Sequence, residues 1–265
     1  MTDRNSAAID DINRHAMRTS VGTYTNFEGL EPAEKSALKE IQKKIQGGRI
    51  LDLGVGGGRT VNALLEVSTD YIGVDYVAEM VATCKKKFSV ARFEHADARS
   101  MPQFEDSSFD LIVFAWAGIC MVDHAGRIAI LNEIRRLLKP GGFFIFSSYN
   151  KNSPALNAPF EFPALSATAN PLKLALRMAA FGRNLIIRLS NRLKLRRHEI
   201  HTDEYSIIND KCHDYGTMLY YITLQNQRKQ LRDLGFSAAI RAYDYSGSEI
   251  ISDSSEDSIL YLVEG

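Results

Sequence analysis

Between residues 49 and 148 the chain repeats one pattern, a short apolar run followed by an amphipathic stretch. The apolar runs are "RILDL" (49–53), "DYIGVD" (70–75), "ARFEH" (91–95), "FDLIVFA" (109–115) and "FFIFSS" (143–148). Helical spacing fills 59–68, 77–87 and 125–138, and a further helix at 31–46 opens on Pro32, a residue suited to a first turn. Strand–helix–strand units of this length predict a parallel sheet covered by helices on both faces. Ligands of such sheets bind beyond the carboxyl ends of the strands, so the residues that end each run carry the functional information.

The regularity stops near residue 151. A loop-like, proline-bearing stretch and then a basic amphipathic segment fill 151–205, read as an inserted lid. The sheet pattern returns with a helix at 223–236, capped by Thr223 and ended by Gly235, and with two closing strands in "SAAIRAY" and "SILYLVE" that read as an antiparallel pair. The expectation is one domain over 1–265, with an arm and helix at 1–45. Formal net charge is zero, which gives no global attraction to nucleic acid. Three dispersed cysteines, Cys84, Cys120 and Cys212, offer neither a metal-binding spacing nor a disulfide framework, so no metal is expected. The first twenty residues lack the apolar core of a signal peptide, and no run of about 18 apolar residues exists, so no transmembrane segment and a cytoplasmic location are expected.

The first run continues into "LDLGVGGGRT", with Gly54, Gly56, Gly57 and Gly58 in five positions and Asp52 just before them. The dinucleotide fingerprint GxGxxG is incomplete here, because position 59 is Arg. A carboxylate at Asp52 would repel a pyrophosphate and would attract an ammonium group. The glycines permit close approach of a ligand to backbone. Asp75 ends the second run, where a carboxylate can accept hydrogen bonds from both ribose hydroxyls. Asp97 follows the third run, where it can accept from an adenine amino group, with the Ala98 amide beside it. An N-cap or turn role for Asp97 remains open. The constellation suits a nucleoside ligand that is cationic and carries no phosphate.

In their order and spacing, "LDLGVGGGRT", "YIGVDY", "HADARSMP", "FDLIVFAWAGICMV" and "EIRRLLKPGGFFIFSS" resemble the class I S-adenosylmethionine-dependent methyltransferases. The resemblance covers about 45–150 and resumes at about 220–264. It implies an α/β, Rossmann-like, seven-stranded and mostly parallel sheet with a reversed final strand, and a helical insertion before the last helix and strands. It implies S-adenosyl-L-methionine as cofactor. Asp52, Gly54, Gly56 and Gly58 would frame the methionyl part, Asp75 the ribose, and Asp97 with Ala98 the adenine, and Tyr76 is a further expected cofactor contact.

The acceptor is less legible. The fourth strand ends in "FAWAGIC" and not in the Asn/Asp-Pro-Pro-aromatic motif of nucleic-acid amino-methyltransferases. The expectation is therefore methyl transfer to a small molecule, foremost to an oxygen of a sugar or secondary metabolite. A protein or RNA methyltransferase, or a non-catalytic cofactor-binding regulator, stands as the alternative. His124 is the candidate general base, since its ordinary pKa suits that task, although a surface histidine opening a helix has the same appearance. Trp116 is expected to wall the cofactor pocket, Tyr24 and Phe27 to form a flap over it, and Tyr149 to face it. Between 173 and 197 lie eight basic residues and no acid. Met178, Phe181, Leu185, Leu189 and Leu193 mark one apolar face, Arg188, Arg192 and Arg196 a basic stripe, and Gly182 a break between two helices. Three readings follow for this segment: a lid packed by its apolar face, a lid over an anionic acceptor, or a peripheral membrane contact.

Overall fold

The computed structural model describes residues 2–164, 166–236 and 239–265. Ser237 and Ala238, the start of the "SAAIRAY" run, lie outside the described residues.

Helices α1 (Thr2–Thr19), α2 (Val21–Tyr24) and α3 (Pro32–Ile45) precede the sheet. The alternating part then runs β1 (Ile50–Leu53), α4 (Val61–Leu65), β2 (Tyr71–Asp75), α5 (Ala78–Lys87), β3 (Arg92–His95), β4 (Phe109–Phe114), α6 (His124–Leu137) and β5 (Leu138–Asn150). Between β5 and the last helix lie α7 (Pro171–Leu195), β6 (Ile200–His201), β7 (Tyr205–Asp210), the single turn α8 (Cys212–Tyr215) and β8 (Thr217–Ile222), so the inserted part runs past the expected 151–205 to residue 222. Helix α9 (Leu224–Asp233) and strands β9 (Ile240–Tyr243) and β10 (Ser258–Glu264) close the chain.

The principal sheet has the order β3-β2-β1-β4-β5-β10-β9. Strands β1 to β5 are parallel, and β10 is antiparallel to both β5 and β9. The seven-stranded expectation holds for this sheet, and the insertion adds three strands to it. Strand β8 pairs with Tyr149 and Asn150, the last residues of β5, beyond the end of its pairing with β4. Strands β7 and β6 follow β8 as an antiparallel extension. The insertion thus builds onto the carboxyl edge of the sheet, where ligands of this architecture bind.

Side chains alternate across the sheet as a period of two requires. Leu51, Leu53, Ile112, Phe144 and Phe146 face one way and pack with Ile130, Leu131 and Ile134 of α6. Ile50, Leu111, Val113, Phe143 and Ile145 face the other way and pack with Ala37, Ile41 and Ile45 of α3. The N-terminal arm is tied to the insertion by one side chain. Asn13 of α1 donates to Met218 O (2.7 Å) and accepts from Met218 N (2.8 Å), replacing a strand partner for β8.

Two expectations for the insertion are corrected. Gly182 does not break the helix, which is continuous over 25 residues. The Met178–Leu193 face does not pack inward: no residue of α7 is buried, and Leu193 is 80% exposed. The inward contacts are polar instead. Arg188 Nε meets Asp214 (2.8 Å), Arg192 meets Glu199, and Asn191 donates to Asp214 O (2.9 Å).

The glycine loop is clamped to α3 by a buried ion pair. Arg59 donates in bidentate fashion to Glu34 (2.8 and 2.6 Å) and also to Gly29 O (2.7 Å). Glu34 in turn accepts from the Glu31 amide in a capping box. Glu34→Ala would leave a buried guanidinium without its anion, a change that costs about 3–5 kcal/mol. Urea denaturation of the variant should show a loss of that order, and a loss below ~1 kcal/mol would show that the pair adds nothing to stability.

Candidate active site

Asp52 lies within β1, and its side chain is buried. Its Oδ2 accepts from Thr60 Oγ1 (2.5 Å) and Tyr71 Oη (2.8 Å). Burial pushes its pKa up to about 6, against the opposing pull of those hydroxyls and of the Arg59 charge. Asp75 ends β2 and fixes the glycine loop: it accepts from Gly56 N (2.9 Å) on one oxygen and Val77 N (2.8 Å) on the other. Burial pushes Asp75 up to about 6 as well, with the two amides opposing it. Neither carboxylate has a salt-bridge partner among the described residues.

The glycines serve distinct ends. Gly56 has φ +54, and a Cβ there would project into open space, with only Gly54 O at 3.9 Å. At Gly57 a Cβ would strike the Tyr24 carbonyl, so the arm crosses the loop where no side chain exists. Gly54 and Gly58 admit the rings of Phe114 and Phe88.

One cleft joins Asp52, Gly54, Gly56, Asp75, Tyr76, Asp97 and Ala98 to Tyr24, Trp116, Tyr149, Cys212 and His213. Gly58 does not line this cleft; it holds the loop against Phe88 from behind. The Tyr76 hydroxyl is buried without a hydrogen-bond partner among the described residues, a polar atom that a ligand group would satisfy. Asp97 is engaged with Arg99 (3.0 and 2.6 Å), which also reaches Asp10 (2.5 Å). Burial would raise the Asp97 pKa, but Arg99 outweighs it and holds the carboxyl below its usual range. A carboxylate has about four acceptor sites, so capacity for a ligand amine remains. Trp116 stands at the mouth with one face covered by the Arg59 guanidinium (4.4 Å). Tyr24 and Phe27 meet the Trp116 ring edge-on, with centroids at 6.1 and 4.9 Å. Phe27 does not line the cleft itself but backs Trp116.

His124 is placed elsewhere. It stacks on Tyr205 (4.3 Å) and pairs with Tyr220 Oη (2.9 Å), lining a separate depression with Asn226 and Gln230. Asp123 caps α6, and strands β7 and β8 cover the first turn, so the insertion encloses His124 away from the cleft. The expectation of a base at His124 is corrected on that ground.

His213, and not His124, lines the cleft. It sits in α8 with φ 51 and ψ 44, and Asp214 (φ 55) and Tyr215 (φ 60) are left-handed too. A left-handed conformation costs an L-residue about 1–2 kcal/mol, so three in succession persist only where surroundings impose them. Asn209 donates to Tyr215 O (2.7 Å), Gly216 N to His213 O (2.9 Å), and Arg188 and Asn191 hold Asp214. In sequence "KCHDYG" is only a polar turn, and nothing there announces three left-handed residues.

Residues 50–142 match the family model described as a methyltransferase domain. The chain is 33% identical over 115 residues to the uncharacterized methyltransferase YcgJ of Bacillus subtilis, covering 41% of this chain and 44% of that protein. It is 24% identical over 137 residues to the ubiquinone biosynthesis O-methyltransferase of Bordetella avium, covering 49% and 54%. The chain spans less than two thirds of the length of the curated relatives it matches. The fold of Burkholderia thailandensis 1,6-didemethyltoxoflavin-N1-methyltransferase, solved with S-adenosylhomocysteine, aligns with a TM-score of 0.59 at 12% identity, over 98% of this chain and 89% of that one. That neighbour holds S-adenosylhomocysteine, the demethylated form of the cofactor that the sequence resemblance implies. The site fits S-adenosylmethionine: two buried carboxylates have no salt-bridge partner among the described residues, Gly56 opens onto the cleft, and the Tyr76 hydroxyl has no hydrogen-bond partner among them.

The charge on Asp52 should govern affinity. Asp52→Asn is expected to weaken S-adenosylmethionine at least ~10-fold, the worth of a charge-assisted bond of about 1.5–3 kcal/mol. Gly56→Val should abolish binding. Because both carboxyls titrate near 6, wild-type affinity should fall as pH drops through that value and level off above ~7. The unliganded protein should behave oppositely. Its folded pKa values exceed the unfolded ones near 4, so stability falls as pH rises from about 4 through 6. Calorimetric titration against pH checks both variants, and equal affinities at pH 5 and 8 would remove the charge argument.

Proposed function

We propose that this protein, acting in the cytoplasm, transfers the methyl group of S-adenosylmethionine to an oxygen of a small-molecule acceptor, a sugar or secondary metabolite. The observation that carries the reading is the cleft uniting the acids at the ends of three adjacent strands with a histidine and three tyrosines. In this reading Asp52 takes the ammonium and Asp75 and Tyr76 the ribose. Asp97 and Ala98 take the adenine, and Gly54 and Gly56 leave the ligand room against the backbone. The cofactor, when bound, supplies an electrophilic methyl carbon. The protein supplies alignment, which is worth about 7–11 kcal/mol of the barrier in a well-oriented reaction. The arm at Tyr24 and the β8 extension border the cleft, which favours a small acceptor over a folded macromolecule.

The outer face of α7 supports a second role, a peripheral contact with anionic lipid. Leu172, Leu176, Ile186 and Leu193 are exposed along it, beside the exposed cations Lys173, Arg183, Lys194, Arg196 and Arg197. Arg188 and Arg192 are turned inward onto acids, so they support neither this contact nor an anionic acceptor. No helix among the described residues is long and apolar enough to cross a membrane.

Incubation of the protein with methyl-labelled cofactor and a metabolite extract should place label in a low-mass product whose methyl survives alkali, as an ether does and an ester does not. Label only in protein or RNA, or cofactor binding without transfer, would overturn the small-molecule reading. Flotation should show binding to vesicles containing phosphatidylglycerol that weakens with salt. Replacing Leu176, Ile186 and Leu193 with Ser should abolish it, and equal binding to neutral vesicles would exclude an electrostatic part.

A further inference from the structure

The protons around His213 can be assigned from the geometry. Ser20 Oγ lies 2.8 Å from Ala16 O and 2.8 Å from His213 Nδ1. A hydroxyl has one proton, and a carbonyl can only accept, so Ser20 donates to Ala16 and accepts from the ring. Nδ1 therefore bears the ring proton. Nε2 keeps its lone pair, and the Tyr24 hydroxyl donates to it at 3.1 Å. Both Tyr24 and His213 border the cleft that holds Asp52 and Asp75.

We propose that Tyr24 and His213 form a proton relay that takes the proton of the methylated hydroxyl. The inference rests on the methyl-transfer reading and names its acceptor class as a neutral alcohol or phenol. The acceptor's O–H bond breaks toward Tyr24 Oη as the Tyr24 proton moves to His213 Nε2. The acceptor oxygen forms its bond to the methyl carbon while the carbon–sulfur bond breaks, and that electron pair stays on sulfur. One hydroxyl proton is thus transferred to the imidazole, which becomes the imidazolium and later returns the proton to solvent. Ser20 holds the tautomer, and the strained turn holds the ring.

The surroundings keep both groups neutral before reaction. Burial lowers the His213 pKa, against the charges of Asp214 and Asp210, and burial raises that of Tyr24, with Cys212 adding to it. Asp210 is engaged by the Tyr221 hydroxyl (2.6 Å) and Asp214 by Arg188 of α7. Tyr149 faces the same cleft from β5, with burial holding its phenol protonated.

Nitrogen-15 NMR of the protein without cofactor gives a readout independent of turnover. It should show His213 protonated on Nδ1, with a pKa below the ordinary ~6.5. His213→Asn should bind S-adenosylmethionine within about twofold of wild type. With catechol and methyl glucoside as probe hydroxyls, its kcat should fall ~10²–10⁴-fold at little changed KM. Wild-type kcat/KM should rise with pH to a plateau above the NMR-measured pKa, and the variant should lose that inflection. Tyr24→Phe should lower kcat while leaving the Nδ1 tautomer in place. A proton found on Nε2, or wild-type kcat in His213→Asn, would sink the relay while leaving methyl transfer standing. Failure of the wild type to bind the cofactor would sink the methyl-transfer reading itself, and the relay with it.

Discussion

Asp52 and Asp75 are buried carboxylates with no salt-bridge partner among the described residues. An isolated buried charge is costly, and their pKa values near 6 register that cost. The fold tolerates them because hydroxyls and amides satisfy their oxygens, and the same bonds shape the glycine loop. Thr60 and Tyr71 reach Asp52, while Gly56 and Val77 reach Asp75. A cationic nucleoside ligand completes this electrostatic arrangement better than an anionic dinucleotide. The loop, the arm crossing at Gly57 and the Arg59–Glu34 clamp are all arranged around that requirement.

The insertion contributes through its polar side. Helix α7 has no buried residue, yet Arg188 and Asn191 both hold Asp214. Asn209 of β7 holds the far end of the same turn, and Asn13 of α1 ties β8 to the arm. These bonds over-determine three left-handed residues and so bring His213 against Ser20 and Tyr24. Arm and insertion are far apart in sequence but meet at one imidazole.

Much of this was legible in the order of residues. The strand–helix alternation at 49–148 determined the parallel sheet, because periods of 2.0 and 3.6 bury different faces. Asp52, the glycines and Asp75 marked the ligand end of the sheet, because each sits at or next to the carboxyl end of a strand. Helix α7 shows where such reading fails. Its leucines were spaced as a packed face should be, but periodicity reveals only that a helix has two sides. Which side turns inward depended on Asp214 and Glu199, which are remote along the chain or follow the helix.

The sequence by itself determined the sheet, the cofactor acids and the missing third fingerprint glycine at Arg59. Local pattern encodes these, since neighbouring residues share one strand or turn. Only the tertiary structure decided which histidine faces the cleft. His124 and His213 are alike as letters. His124 is enclosed by Tyr205 and Tyr220 from the insertion, and His213 is brought into the cleft by a backbone conformation that distant side chains impose. Long-range hydrogen bonds set that choice, and no local spacing encodes them.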